Sequence, residues 1–147
     1  MKPCHYLRFV FLLFFFSFSA AAMAEENEQH PIDKQIDALF ANAKSRADEQ
    51  GAYTKGLELW DKEMNRVYNE LLKGLSKETV PLLKKSQRSW LTLRGQHVAY
   101  LDEFYKGLSG TMYLTAHAYA VMDVTRQRAL ALSRQLKYID DGDYVND

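Results

Sequence analysis

Between Leu57 and Leu75 the residues Leu57, Trp60, Met64, Val67, Leu71 and Leu75 recur at spacings of 3, 4, 3, 4 and 4. Only a 3.6-residue helix brings such a series onto one stripe. The segment must therefore be a long amphipathic helix with an apolar face to cover. The rest of the chain offers the same kind of element. No sustained period-2 alternation occurs, β-branched residues are sparse, and Leu, Ala, Lys, Glu, Gln and Arg dominate, a composition suited to helices.

The spacing predicts a short first helix over about 33–44, with Ile32, Ile36, Leu39 and Phe40 on one face. Ser45 is placed to cap the long second helix, with Asp48 in its first turn, and that helix runs to about Lys73. Gly51 and Gly56 predict a kink or break near its start. Glu58–Lys62 and Glu63–Arg66 are surface pairs at helical spacing, worth tenths of a kcal/mol each. Gly74 to Thr79 reads as a turn in which Thr79 caps a third helix, over about 80–106, and Pro81 falls in its first turn. Its stripe is Leu83, Gln87, Trp90, Arg94, Val98, Leu101 and Tyr105, interrupted by the polar Gln87 and Arg94. Gly107-Leu108-Ser109-Gly110 ends it. A fourth helix over about 111–138 places Tyr113, Ala116, Ala120, Val124 and Leu132 near one face. Short links return a chain beside itself, so the expected fold is all-α: an antiparallel bundle of three long amphipathic helices plus one short N-terminal helix, spanning residues 32–138. Residues 139–147 read as a flexible acidic tail without core residues to hold it.

The first 24 residues belong to a different kind of sequence. Lys2 and Arg8 precede an unbroken apolar run from Phe9 to Phe16, and Ala20-Ala21-Ala22-Met23-Ala24 precedes Glu25-Glu26. These are the parts of a secretory signal peptide with cleavage expected after Ala24. The apolar run is shorter than the roughly 20 residues a membrane span needs, so no stable insertion is expected once it is removed. Residues 25–31 read as a flexible N-terminal segment. The leader explains the composition of the whole. The formal charge is zero, and loss of Lys2 and Arg8 with no acid leaves a mildly acidic periplasmic or secreted protein. A nucleic-acid binder would be strongly basic. The single cysteine, Cys4, also leaves with the leader, so no disulfide is available.

Chemistry-bearing motifs are few. Among residues 25–147 the histidines are His30, His97 and His117; only His30 has an acid at i+3 or i+4, Asp33, and with no Glu-x-x-His and no His-Glu-x-x-His no metal site and no cofactor is expected. Gly107-Leu108-Ser109-Gly110 lacks the Gly-x-Ser-x-Gly spacing and the preceding strand of a nucleophile turn. Asp140-Asp141-Gly142-Asp143 lacks the ligand order and closing Glu of a calcium loop. What stands out is a polar set on or beside the apolar stripes: Asn65, Gln87, Arg94, and Thr125 with Arg128. Arg94, one turn after Trp90, should reach the bundle seam and meet an acid on another helix, with Asp61 and Asp123 the candidates. Such a network serves either helix register or a binding groove.

The same residues carry a likeness. Trp60-Asp61, Asn65 and Tyr68, then Gln87, Trp90-Leu91 and Arg94, then Thr125 and Arg128, resemble the signature of the LprI-type lysozyme-inhibitor N-terminal domain family, over roughly Ile32 to Leu136. The family's cysteines are missing: the matching places hold Ala52, Val98 and a residue near Ala120. The Asp that often follows the motif arginine is Gly95, and the aromatic before it is Leu93.

The resemblance implies an exported binding protein rather than an enzyme, with a lysozyme as the partner it names. Animal-type lysozymes are cationic and carry two carboxylates in a cleft. An inhibitor needs only a protruding loop and a surface that attracts a basic enzyme. The turn at Gly107–Thr111 and the acidic termini are the candidates for these. The alternative is a structural or assembly factor of the cell envelope that contacts another envelope protein and has no lysozyme interaction.

Overall fold

A computed structural model of the protein describes residues 29–144 and contains four helices: α1 (Pro31–Ala41), α2 (Arg46–Gly74), α3 (Thr79–Lys106) and α4 (Met112–Asp140). No strand occurs among the described residues. The expected leader with its cleavage point, most of the expected N-terminal segment and the last three residues lie outside them.

Local sequence sets the helix starts. His30 begins α1 earlier than the apolar spacing implies, because its Nδ1 accepts from the Ile32 N–H at 3.2 Å and Pro31 fills the first turn. The Ser45 hydroxyl accepts from the Asp48 N–H at 3.2 Å, while the Asp48 carboxylate accepts from the Lys44 N–H at 3.0 Å, a reciprocal cap for α2. Thr79 does not cap α3; it is its first residue. Its N–H goes to the carbonyl and hydroxyl of Ser76, at 3.1 and 3.3 Å. Gly110, at φ +117°, turns the chain between α3 and α4 in a conformation side-chain-bearing residues avoid.

Successive helices run antiparallel, as the short links require. The most extensive packing, however, joins α2 to α4, which run parallel. Thr115, near the start of α4, donates to the Glu49 carboxylate near the start of α2 at 3.0 Å. Ile139 at the end of α4 lies against Gly74 at the end of α2. The core between them consists of Trp60, Met64, Val67 and Leu71 from α2 with Met122, Ala129 and Leu132 from α4, joined by Ile36 from α1 and Leu83 from α3.

Several expectations change. The buried face of α4 is Thr115, Met122, Thr125, Ala129 and Leu132. Tyr113, Ala116, Ala120 and Val124 are only partly buried, because the contact with α2 selects the stripe rotated toward the small and polar residues. α2 is continuous through Gly51 and Gly56. Gly56 is there for packing: a Cβ on it would lie 2.6 Å from both Ile36 Cδ1 and Met122 Sδ, so α1 and α4 meet α2 where it has no side chain. Glu58 pairs with Lys55 at 2.7 Å instead of with Lys62. The segment after α4 is anchored as well, because the Tyr144 hydroxyl reaches Thr79 Oγ1 at 3.2 Å.

Candidate functional site

α3 buries little of itself, only Leu83, Gln87 and Leu101. It is tied to the α2–α4 pair by a row of polar and aromatic contacts, and most of the signature residues lie in that row.

Asp61 on α2 accepts from Arg94 Nη1 on α3 at 2.8 Å, so of the two candidate acids it is Asp61 that Arg94 meets. Asn65 donates to the Asp61 backbone carbonyl at 2.9 Å and to its carboxylate at 3.1 Å, which holds the acid in place. Two turns earlier on α3, Gln87 is buried and used at both ends. Its Nε2 contacts Met64 Sδ at 3.6 Å and its Oε1 accepts from Arg128 Nε of α4 at 3.0 Å. Arg128 Nη2 also donates to Ser86 Oγ at 3.3 Å. Trp90 lies between the two cations, with the Arg94 and Arg128 guanidinium carbons 5.2 and 5.8 Å from its ring centroid. Asp61, Asn65, Gln87, Trp90, Arg94 and Arg128 thus form one connected set across three helices. The set ties α3 to the other two helices.

Beside this set runs a groove of about 550 Å³, lined by Leu57, Glu58, Asp61, Arg94, Val98, Val121 and Thr125. Thr125 is fully buried and its hydroxyl has no hydrogen-bond partner among the described residues. Two of the signature residues stand apart. Trp60 is buried toward the start of α1, 4.5 Å from the His30 ring, and its indole N–H is likewise unpartnered among the described residues. Tyr68 packs half-buried on the core.

Residues 40–132 match a family model described as lysozyme inhibitor LprI. The chain belongs to the LprI family. A crystal structure of an uncharacterised protein from Burkholderia thailandensis is similar to it, with 28% identity and a TM-score of 0.68 over 71% of this chain. The LprI chain spans about half of that protein, covering 53% of its length. No curated protein matches. Among the described residues no helix is long and apolar enough to cross a membrane, and no group of three or more His, Cys, Asp or Glu is placed to hold a metal ion.

Two features of this LprI protein were not anticipated from its sequence. Arg126 on α4 binds Asp33 on α1 through paired hydrogen bonds and lies 5.6 Å from the Trp60 ring centroid. Asp33 holds the guanidinium's pKa above its ordinary value. The Asp123–Arg126 spacing was the only local signal of this site, and that pair is the longer contact, at 3.5 Å. The second feature is the end of the bundle where α3 meets α4. The Tyr100 and Phe104 rings pack in series on α3 and are about half exposed, and Leu108, Met112 and Leu114 in and after the turn are exposed as well. His117 of α4 braces this end, 2.8 Å from the Asp102 carboxylate.

Proposed function

We propose that the protein is an exported binding protein of the bacterial envelope, not an enzyme, and that it inhibits a lysozyme through the end of the bundle formed by the C-terminal half of α3 and the Gly107–Thr111 turn. Membership of the LprI family supports the choice of partner, and the leader-like first 24 residues support a periplasmic or secreted location. The observation that carries the choice of surface is the exposed run Tyr100, Phe104, Leu108 and Met112. Large apolar side chains left exposed close together in the chain are costly to leave in water and favour an interaction site. Aromatic anchors on a rigid helix lose little entropy on binding. Inhibition by this route needs no titrating group, since occupying the cleft is enough.

The test is a lysis assay with the purified protein and several lysozyme types. A stoichiometric excess should slow lysis, and the Tyr100→Ala/Phe104→Ala double substitution should remove most of the effect. Unchanged lysis at large molar excess overturns the reading. Capture of another envelope protein through the same face would then favour the assembly-factor alternative.

A further inference from the structure

Arg94 and Arg128 flank the same tryptophan but differ in one respect. Arg94 has Asp61 as a counter-charge; Arg128 has no carboxylate within ion-pair distance among the described residues. Its partners are two neutral oxygens, on Gln87 and Ser86, which occupy two of a guanidinium's five N–H donors. Burial lowers its pKa with no acid nearby to offset the effect. The surroundings are also one-sided, since from Thr79 to Leu101 the sequence has no acid and four basic residues, Lys84, Lys85, Arg88 and Arg94.

Ser86, which accepts from Arg128 Nη2, also lines a second groove of about 420 Å³, so Arg128 lies next to that groove. Leu71, Leu75, Leu82, Leu83, Tyr138 and Ile139 form most of its wall. It follows α3 from Ser86 back to Thr79, a run of roughly 10 Å at 1.5 Å per residue. Leu82 and Tyr138 are 66% and 60% exposed, so much of this apolar wall has no cover within the described residues. Apart from Leu75 and Tyr144, its lining residues lie in α2, α3 and α4, where backbone groups are engaged along the helix. An extended peptide would therefore find few partners for its amides, whereas an acyl chain has none to satisfy.

We propose that this groove binds a single-chain fatty carboxylate, with the carboxylate on Arg128 beside Ser86 and the chain along Leu82, Leu83 and Ile139. The guanidinium edge offers the paired N–H geometry that a carboxylate accepts. The groove supplies the apolar burial, at about 25 cal/mol per Å². The site is separate from the aromatic end of α3 and does not depend on any lysozyme interaction.

Titration of the purified protein with decanoate, below its micelle concentration, tests this. Decanoate should bind saturably at one per chain. Decanol, which lacks the charge, and acetate, which lacks the chain, should each bind at least about tenfold more weakly. Arg128→Gln should abolish the preference for decanoate over decanol. Leu82→Glu, at an exposed position that leaves the core intact, should lower decanoate affinity by about tenfold or more. Absence of saturation, equal binding of decanol, or undiminished binding by the folded Leu82→Glu protein would overturn the proposal.

Discussion

Arg126 holds Asp33 in a two-pronged contact, Nε to Oδ1 at 2.9 Å and Nη2 to Oδ2 at 2.7 Å, and so joins the shortest helix of the bundle to the last. The pair is well shielded, with side chains 26% and 14% exposed, and the cation also lies over Trp60. Removing Arg126 strands Asp33 in a largely dry site, and removing Asp33 leaves Arg126 only its longer contact with Asp123.

Arg126→Ala should therefore destabilise the protein by about 1–3 kcal/mol. Asp33→Ala should cost a similar amount, and the double substitution less than the sum of the two. Urea unfolding of the four proteins would give the coupling, and additive effects would show that the contact contributes nothing.

The two glycines of α2 should respond in opposite directions. Nothing lies within 4 Å of a Cβ placed on Gly51, so Gly51→Ala should stabilise by about 0.5–1 kcal/mol through helix propensity. Gly56→Ala presses on Ile36 and Met122, and overpacking should cost about 1–3 kcal/mol, outweighing the same propensity gain. Thermal midpoints compare the two directly.

These glycines show how far the sequence could be read. Gly56 suggested a weak helix because a propensity scale sees only its own helix. Its role depends on Ile36 and Met122, which are far away in sequence. The stripe of α2 was legible because Trp60, Met64, Val67 and Leu71 are large and regularly spaced. The buried face of α4 was not, because Thr115, Thr125 and Ala129 look no more like core than the half-buried tyrosine and alanines beside them. The Arg94 contact could be anticipated because an arginine on an apolar stripe needs an acid. The Arg126–Asp33 contact could not, because neither residue interrupts a stripe.

Thr125 carries a fully buried hydroxyl without a partner among the described residues. Thr125→Val keeps the shape and removes the cost of keeping that hydroxyl dry. It should be neutral to stabilising, by up to about 1–2 kcal/mol. A loss of more than about 1 kcal/mol, outside the range expected for an unbonded group, would mean that the hydroxyl is satisfied in solution.

Acid should weaken the fold from identifiable places. The Ser45 hydroxyl and the Lys44 N–H hold the Asp48 carboxyl below its ordinary pKa, Arg46 does the same for Glu49, and Arg66 for Glu63. Each group binds its proton more weakly folded than unfolded. Its contribution is thus complete above the unfolded carboxylate range, about pH 4, and is lost as pH falls through the lower folded values. Urea midpoints should be flat from neutrality down to about pH 5 and then drop. In Ser45→Ala the drop should be shallower, because Asp48 has lost its main hydrogen bond.

The parallel α2–α4 pair has a kinetic consequence. Thr115 and Glu49, which meet at one end of it, are 66 positions apart in the chain. Their encounter closes a loop that contains the whole of α3, an entropic cost met before most of the core exists. Folding should therefore be slower than in a bundle built from neighbouring helices. A chain emerging N-terminus first would display the bare stripe of α2, from Trp60 to Leu71, until nearly its last thirty residues had followed. During that interval it depends on whatever else in the compartment can keep an apolar helix from aggregating.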